Sequence, residues 1–180
     1  MLIDARRSAL LIVDVQENLA PVMADARAVY KGCTILLKAA ARLGLPVLVS
    51  EQYPKGLGRT MGELREHVPD GAVVEKLHFS CAAEPALKER VDGLGRDHLV
   101  IAGIEAHVCV LQSALGFKAA GYQVFVVADA CSSRDSANHR AALERMAANG
   151  IEVVTVEMVA FEWLHRAGTP EFKDISRLIK

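Results

Sequence analysis

The chain has 180 residues, 52% of them hydrophobic and 24% charged, which suits one globular domain (residues 1–180) with a buried core and excludes disorder. Its 21 basic and 22 acidic residues leave a formal net charge of −1, so no field attracts nucleic acid or anionic lipid. With only 5% aromatic residues, broad base-stacking surfaces are also disfavoured.

In chain order, Arg6 and Arg7 precede the apolar run Ser8-Ala9-Leu10-Leu11-Ile12-Val13, which ends at Asp14. That run is shorter than the ~7–15 residues of a secretion signal, and no segment approaches the ~18 residues of a membrane span. The expectation is a cytoplasmic protein with no membrane partner. In a reducing compartment Cys33, Cys81, Cys109 and Cys131 are read singly rather than as disulfides, and none forms a Cys-x-x-Cys pair. Runs rich in β-branched residues predict strands at 9–13, 47–49, 73–74, 99–102, 124–127 and 151–156. Helical patterns fall at 25–43 (stopped by Gly44 and Pro46), 85–91, 108–120, 136–148, 158–166 and 170–179. Segment 51–69, with Tyr53-Pro54-Lys55-Gly56-Leu57-Gly58, reads as a functional loop. Apolar strands alternating with helices imply an α/β fold with a doubly wound, Rossmann-like parallel sheet of about six strands.

In such a sheet the strand C-termini share one edge, which brings together Asp14, Lys76 and Cys109 from distant parts of the sequence. Cys109 follows the apolar run Leu99-Val100-Ile101-Ala102 and opens a predicted helix, whose N-terminal N–H groups and dipole favour a thiolate. Lys76 adds a charge that favours the thiolate and keeps Asp14 ionised. Asp14 accepts and returns the proton, although a carboxylate at a strand end serves equally well to tie down backbone. Cys33, Cys81 and Cys131 read as core residues. Gln16 is placed to orient Asp14 or touch substrate, Glu17 reads as a helix-start charge, and His107 reads as packing or solvent-facing. The six histidines form no His-x-x-x-His or Asp-x-His pair, so no metal is expected. Gly56-x-Gly58 and Gly93-x-Gly95 are too short and misplaced for a dinucleotide fingerprint, so no cofactor is expected either.

Taken in order, Leu11-Ile12-Val13-Asp14-Val15-Gln16, Lys76, and Gly103-Ile104-Glu105-Ala106-His107-Val108-Cys109-Val110 make the chain resemble the isochorismatase-like cysteine hydrolases over essentially its whole length. The resemblance implies a three-layer α/β/α sandwich and a catalytic triad of Asp14, Lys76 and Cys109. It also implies a cis peptide between Ile104 and Glu105, with the N–H groups of Glu105 and Cys109 as an oxyanion hole. Nicotinamidases of this superfamily carry an Asp-x-His metal cluster after the second strand. This chain has Ser50-Glu51-Gln52-Tyr53 there, so it is similar to the metal-independent, isochorismatase domain-containing branch. True isochorismatases lack the cysteine. Glu105 and Ala106 replace the small residue and threonine of nicotinamidases, which removes the usual carboxamide contacts.

The leading expectation is a cysteine hydrolase of a small amide or related carbonyl compound, with Gln16, Tyr53 and Phe79 walling the pocket. The alternatives are hydrolysis of another bond, such as an enol ether with Asp14 as general acid, or a non-catalytic binding or scaffold protein. The resemblance further implies a homo-oligomer, for which Met158-Val159-Ala160-Phe161-Glu162-Trp163-Leu164 offers an interface or, equally, a cover for the sheet.

Overall fold

The computed structural model describes residues 1–179. Its strands are β1 (Ser8–Val13), β2 (Val47–Gln52), β3 (Val73–Lys76), β4 (His98–Ile104), β5 (Gln123–Ser132) and β6 (Glu152–Val154). They form one parallel sheet in the order β3-β2-β1-β4-β5-β6. The helices are α1 (Ala26–Leu43), α2 (Pro54–Leu57), α3 (Gly62–Arg65), α4 (Pro85–Gly93), α5 (Leu111–Ala119), α6 (Ser136–Ala148), α7 (Val156–Leu164) and α8 (Pro170–Ile179). Among the described residues no helix is long and apolar enough to cross a membrane.

Every residue of β1 is buried because the period-2 alternation feeds two cores. Leu10 and Ile12 pack with α1, α7 and α8, whereas Ala9, Leu11 and Val13 pack with α4, α5 and α6. Small residues set how closely the layers approach. A Cβ on Gly32 in α1 would lie 2.7 Å from the Cβ of Ala130 in β5. At Gly103, φ is +121°, and a Cβ would sit 2.1 Å from the Val13 carbonyl oxygen. Only glycine lets β4 run this close to the end of β1, one residue before Asp14.

The predicted elements are all present, with informative shifts. Strand β2 runs to Gln52 rather than Val49, because Ser50, Glu51 and Gln52 pair with Val74, Glu75 and Lys76 of β3. The 51–69 segment is therefore strand at its start, and it contains α2, α3 and a bridge from Thr60 to Gln16. The helix expected from 108 is a π-helical turn (Ala106–Val110) that leads into α5. Within 158–164, Trp163 is core, 4% exposed and donating from Nε1 to Ser8 Oγ at 3.1 Å. Met158 and Phe161 of the same segment are exposed.

Candidate active site

Strand order reverses between β1 and β4, which opens a crevice at their C-terminal ends. Asp14 follows β1 and Cys109 lies in the π-turn after β4, so the chain topology brings both to this crevice. Lys76 ends β3, two strands from β1, and its side chain crosses the end of β2 to reach Asp14. Asp14 has φ +52°, a left-handed conformation unusual outside glycine, at the point where the chain leaves the sheet.

Asp14 and the Lys76 side chain are fully buried and paired: Nζ donates to Oδ2 at 2.8 Å. The ammonium also donates to Gln52 Oε1 (2.6 Å) and to the carbonyls of Phe79 (3.1 Å) and His78 (3.2 Å). The other Asp14 oxygen, Oδ1, accepts from Ser50 Oγ at 2.7 Å. The Cys109 thiol faces the same carboxylate and completes the set. Burial pushes the Asp14 carboxyl above its ordinary value, although Lys76, Ser50 and Cys109 all pull it back. Burial also opposes the Lys76 ammonium, but the charge of Asp14 holds the lysine above its ordinary value.

Cys109 departs from expectation. Burial, followed by the negative charge of Asp14, drives its thiol well above its ordinary value, and the opposing pull of Lys76 does not prevail. The resting group is a neutral thiol rather than a thiolate. Two physical reasons account for this: the residue sits inside the π-turn and is only 6% exposed, and the Asp14 carboxylate beside it outweighs the lysine.

Gln16 is likewise corrected. It is fully buried, with Oε1 accepting from the Gln52 N–H (2.7 Å) and Nε2 donating to the carbonyls of Gly58 (2.7 Å) and Gln52 (3.0 Å). Its amide clamps β2 to the following loop and has no exposed surface to offer a substrate. Tyr53 and Phe79 are both exposed. Tyr53 lines a 400 Å³ cleft with Lys55, Lys76, Leu77, His78 and Glu84, whereas Phe79 lies outside that lining. Glu51 accepts from the N–H (2.6 Å) and hydroxyl (2.7 Å) of Thr60, so its carboxylate anchors the loop.

The Ile104–Glu105 peptide is cis. The Glu105 side chain is buried, and its Oε1 accepts from Arg134 Nε at 2.7 Å. Among the described residues Oε2 has no hydrogen-bond partner; His107 Nδ1 is 3.5 Å away and pairs instead with Ser133 Oγ at 2.9 Å. Glu105, His107, Ser133 and Arg134 thus join the π-turn to the loop after β5. Sequence reasoning missed Ser50, Gln52, Cys81 and Arg134. Ser50 and Gln52 carried a signal, since they stand at alternating positions on an apolar strand. Arg134 meets Glu105 from 29 residues away and carried none.

An isochorismatase domain signature matches residues 8–158. The chain is 37% identical to mouse isochorismatase domain-containing protein 2A, over 96% of this chain and 82% of that one. It is 38% identical to the secreted isochorismatase effector Isc1 of Phytophthora sojae, covering 96% of this chain and 84% of the effector. Among solved structures, a Caenorhabditis elegans protein described as MAR1 ribonuclease superposes with a TM-score of 0.93 at 32% identity, over 99% of this chain and 92% of that one.

The buried pair sets a stability test. Lys76→Met leaves Asp14 buried without its partner and should cost roughly 3–5 kcal/mol in urea denaturation at pH 7. Asp14 would then bind its proton more tightly folded than unfolded, so the loss should shrink as pH falls. The double variant Asp14→Asn/Lys76→Met should recover part of the loss; a double variant no more stable than the single would contradict a coupled pair. The isochorismatase signature and the full-length similarity lead to one assignment: this chain is a member of the isochorismatase family.

Proposed function

We propose that the protein is a metal-independent cysteine hydrolase that cleaves the C–N bond of a small amide or related carbonyl compound. The observation that carries this reading is the buried Asp14 carboxylate, held by Lys76 and Ser50 and facing the Cys109 thiol. A neutral thiol facing a fixed carboxylate suits proton transfer during attack, not a preformed thiolate.

In this reading Cys109 Sγ attacks the carbonyl carbon while Asp14 takes the thiol proton. The N–H groups of Glu105 and Cys109 hold the oxyanion. Collapse expels the amine, which takes the proton from Asp14, and leaves an acyl-thioester on Cys109. Water then gives a proton to Asp14 and attacks the thioester carbonyl. The acid departs, and the proton returns to sulfur. Lys76 stays charged throughout and keeps Asp14 ionised between steps. The family membership supports hydrolysis as the class of reaction. RNA, suggested by the description of the Caenorhabditis elegans neighbour, is disfavoured here by the formal charge of −1.

Cytoplasmic placement and self-association belong to the same proposal. All four cysteines are free thiols, which suits a reducing compartment. Exposed Leu2, Met158 and Phe161 line one groove and offer an apolar face to a second copy. Light scattering of the purified chain should report a multiple of 19.4 kDa, and a monomer at micromolar concentration would remove the self-association part.

The chemistry is tested on a panel of small amides with three proteins. Cys109→Ala should fold and lose all turnover. Asp14→Asn should lower turnover by about 10²–10⁴, the usual cost of removing a general base. Amide turnover in Cys109→Ala close to that of the parent would overturn Cys109 as the nucleophile, and enol-ether turnover that survives Cys109→Ala but not Asp14→Asn would favour the enol-ether reading, in which Asp14 acts as general acid. A chain that binds amides, turns over none and has an inert Cys109 would be a binding protein.

A further inference from the structure

Strand β2 lies between the strands that supply Asp14 and Lys76, and the two charges meet across its end. Its last residues alternate, so Ser50 and Gln52 share one face. Gln52 accepts from the lysine and Ser50 donates to the aspartate. Ser50 holds Asp14 twice: the Asp14 N–H donates to the Ser50 carbonyl at 3.1 Å, and the Ser50 hydroxyl donates to Oδ1. Behind the hydroxyl stands Cys81, a buried thiol with no part in the proposed chemistry, whose Sγ donates to Ser50 Oγ at 3.6 Å. A hydroxyl has one proton. With Cys81 filling an acceptor position, the Ser50 proton is directed at Asp14.

This order of donors has a chemical consequence. A proton from Cys109 must come to rest on a carboxylate whose Oδ2 is held by Lys76 and whose Oδ1 is held by Ser50. Both donors favour the charged, proton-accepting form, against the burial that favours the neutral acid. The other titratable groups facing Asp14 are Cys109 from the π-turn and Cys81 from the turn Cys81–Ala83. Burial and the charge of Asp14 push Cys81 up to about 11, so it stays a protonated donor at neutral pH.

We infer that Ser50, oriented by Cys81, is a positioning residue that keeps Asp14 ionised and aimed at Cys109. The inference rests on Asp14 being the base for Cys109.

The test is the pH dependence of Cys109 alkylation by iodoacetamide, read by peptide mass mapping from pH 4 to 9. In the parent protein the rate should rise with the ionisation of Asp14 to a plateau. Ser50→Ala removes a donor to the charged form, so that rise should move to higher pH by about one unit. Ser50→Thr keeps the hydroxyl and should leave the rise in place. Ser50→Cys keeps the volume with a weaker donor, and its upward shift should be intermediate; it also serves if Ser50→Ala does not fold. A merely structural serine would lower the melting temperature in these variants without moving the rise, and that result would overturn the inference. Asp14→Asn separates the two ideas. If it keeps the parent's rise, Asp14 is not the base and the underlying reading fails. If it abolishes the rise while Ser50→Ala and Ser50→Cys leave it at the parent pH, only the role of Ser50 fails.

Discussion

One buried ion pair organises the site. Asp14 and Lys76 come from β1 and β3, strands that are not neighbours, and they meet over the end of β2 with both side chains fully buried. Two unpaired charges in that position would cost several kcal/mol each, so the pair requires saturation by neutral groups. The structure supplies it: Ser50 on Asp14, and Gln52 and two main-chain carbonyls on Lys76. The fold follows from the same demand. Strand β2 extends three residues past its apolar core because those polar residues have partners, and Gln16 locks that extension to the loop beyond.

The pair also fixes the state of the cysteine. A lysine beside a thiol ordinarily favours the thiolate. Here burial and the facing carboxylate outweigh the lysine, so Cys109 rests protonated. A protonated thiol needs a proton acceptor before it can act as a nucleophile, and in the proposed reaction that acceptor is Asp14.

Much of this was legible in the sequence. The six strands and the sheet type follow from apolar runs alternating with helical patterns, and a parallel sheet turns the ends that carry Asp14, Lys76 and Cys109 toward one edge. What misled was polarity itself. Glu51-Gln52 reads as loop because polar residues rarely prolong a buried strand, and only the partners of Ser50, Glu51 and Gln52 on β1, β3 and Thr60 explain the extension. Gln16 was misread for the converse reason: a glutamine beside a candidate site suggests a ligand contact, yet this one is consumed by main-chain groups. The thiolate expectation failed on geometry, since spacing alone does not reveal a π-turn or the direction in which a lysine spends its charge. Arg134 and Cys81 reach the site through tertiary contacts that no local pattern encodes.

Rapid-quench intact-mass spectrometry during turnover of a hydrolysed amide decides whether Cys109 is the nucleophile of the proposed reaction. The account predicts an adduct with the mass of the acyl group, mapped to Cys109 and cleared by hydroxylamine as a thioester. Turnover that proceeds with no adduct on Cys109, at reaction times where substrate is saturating and quench is fast, would contradict it.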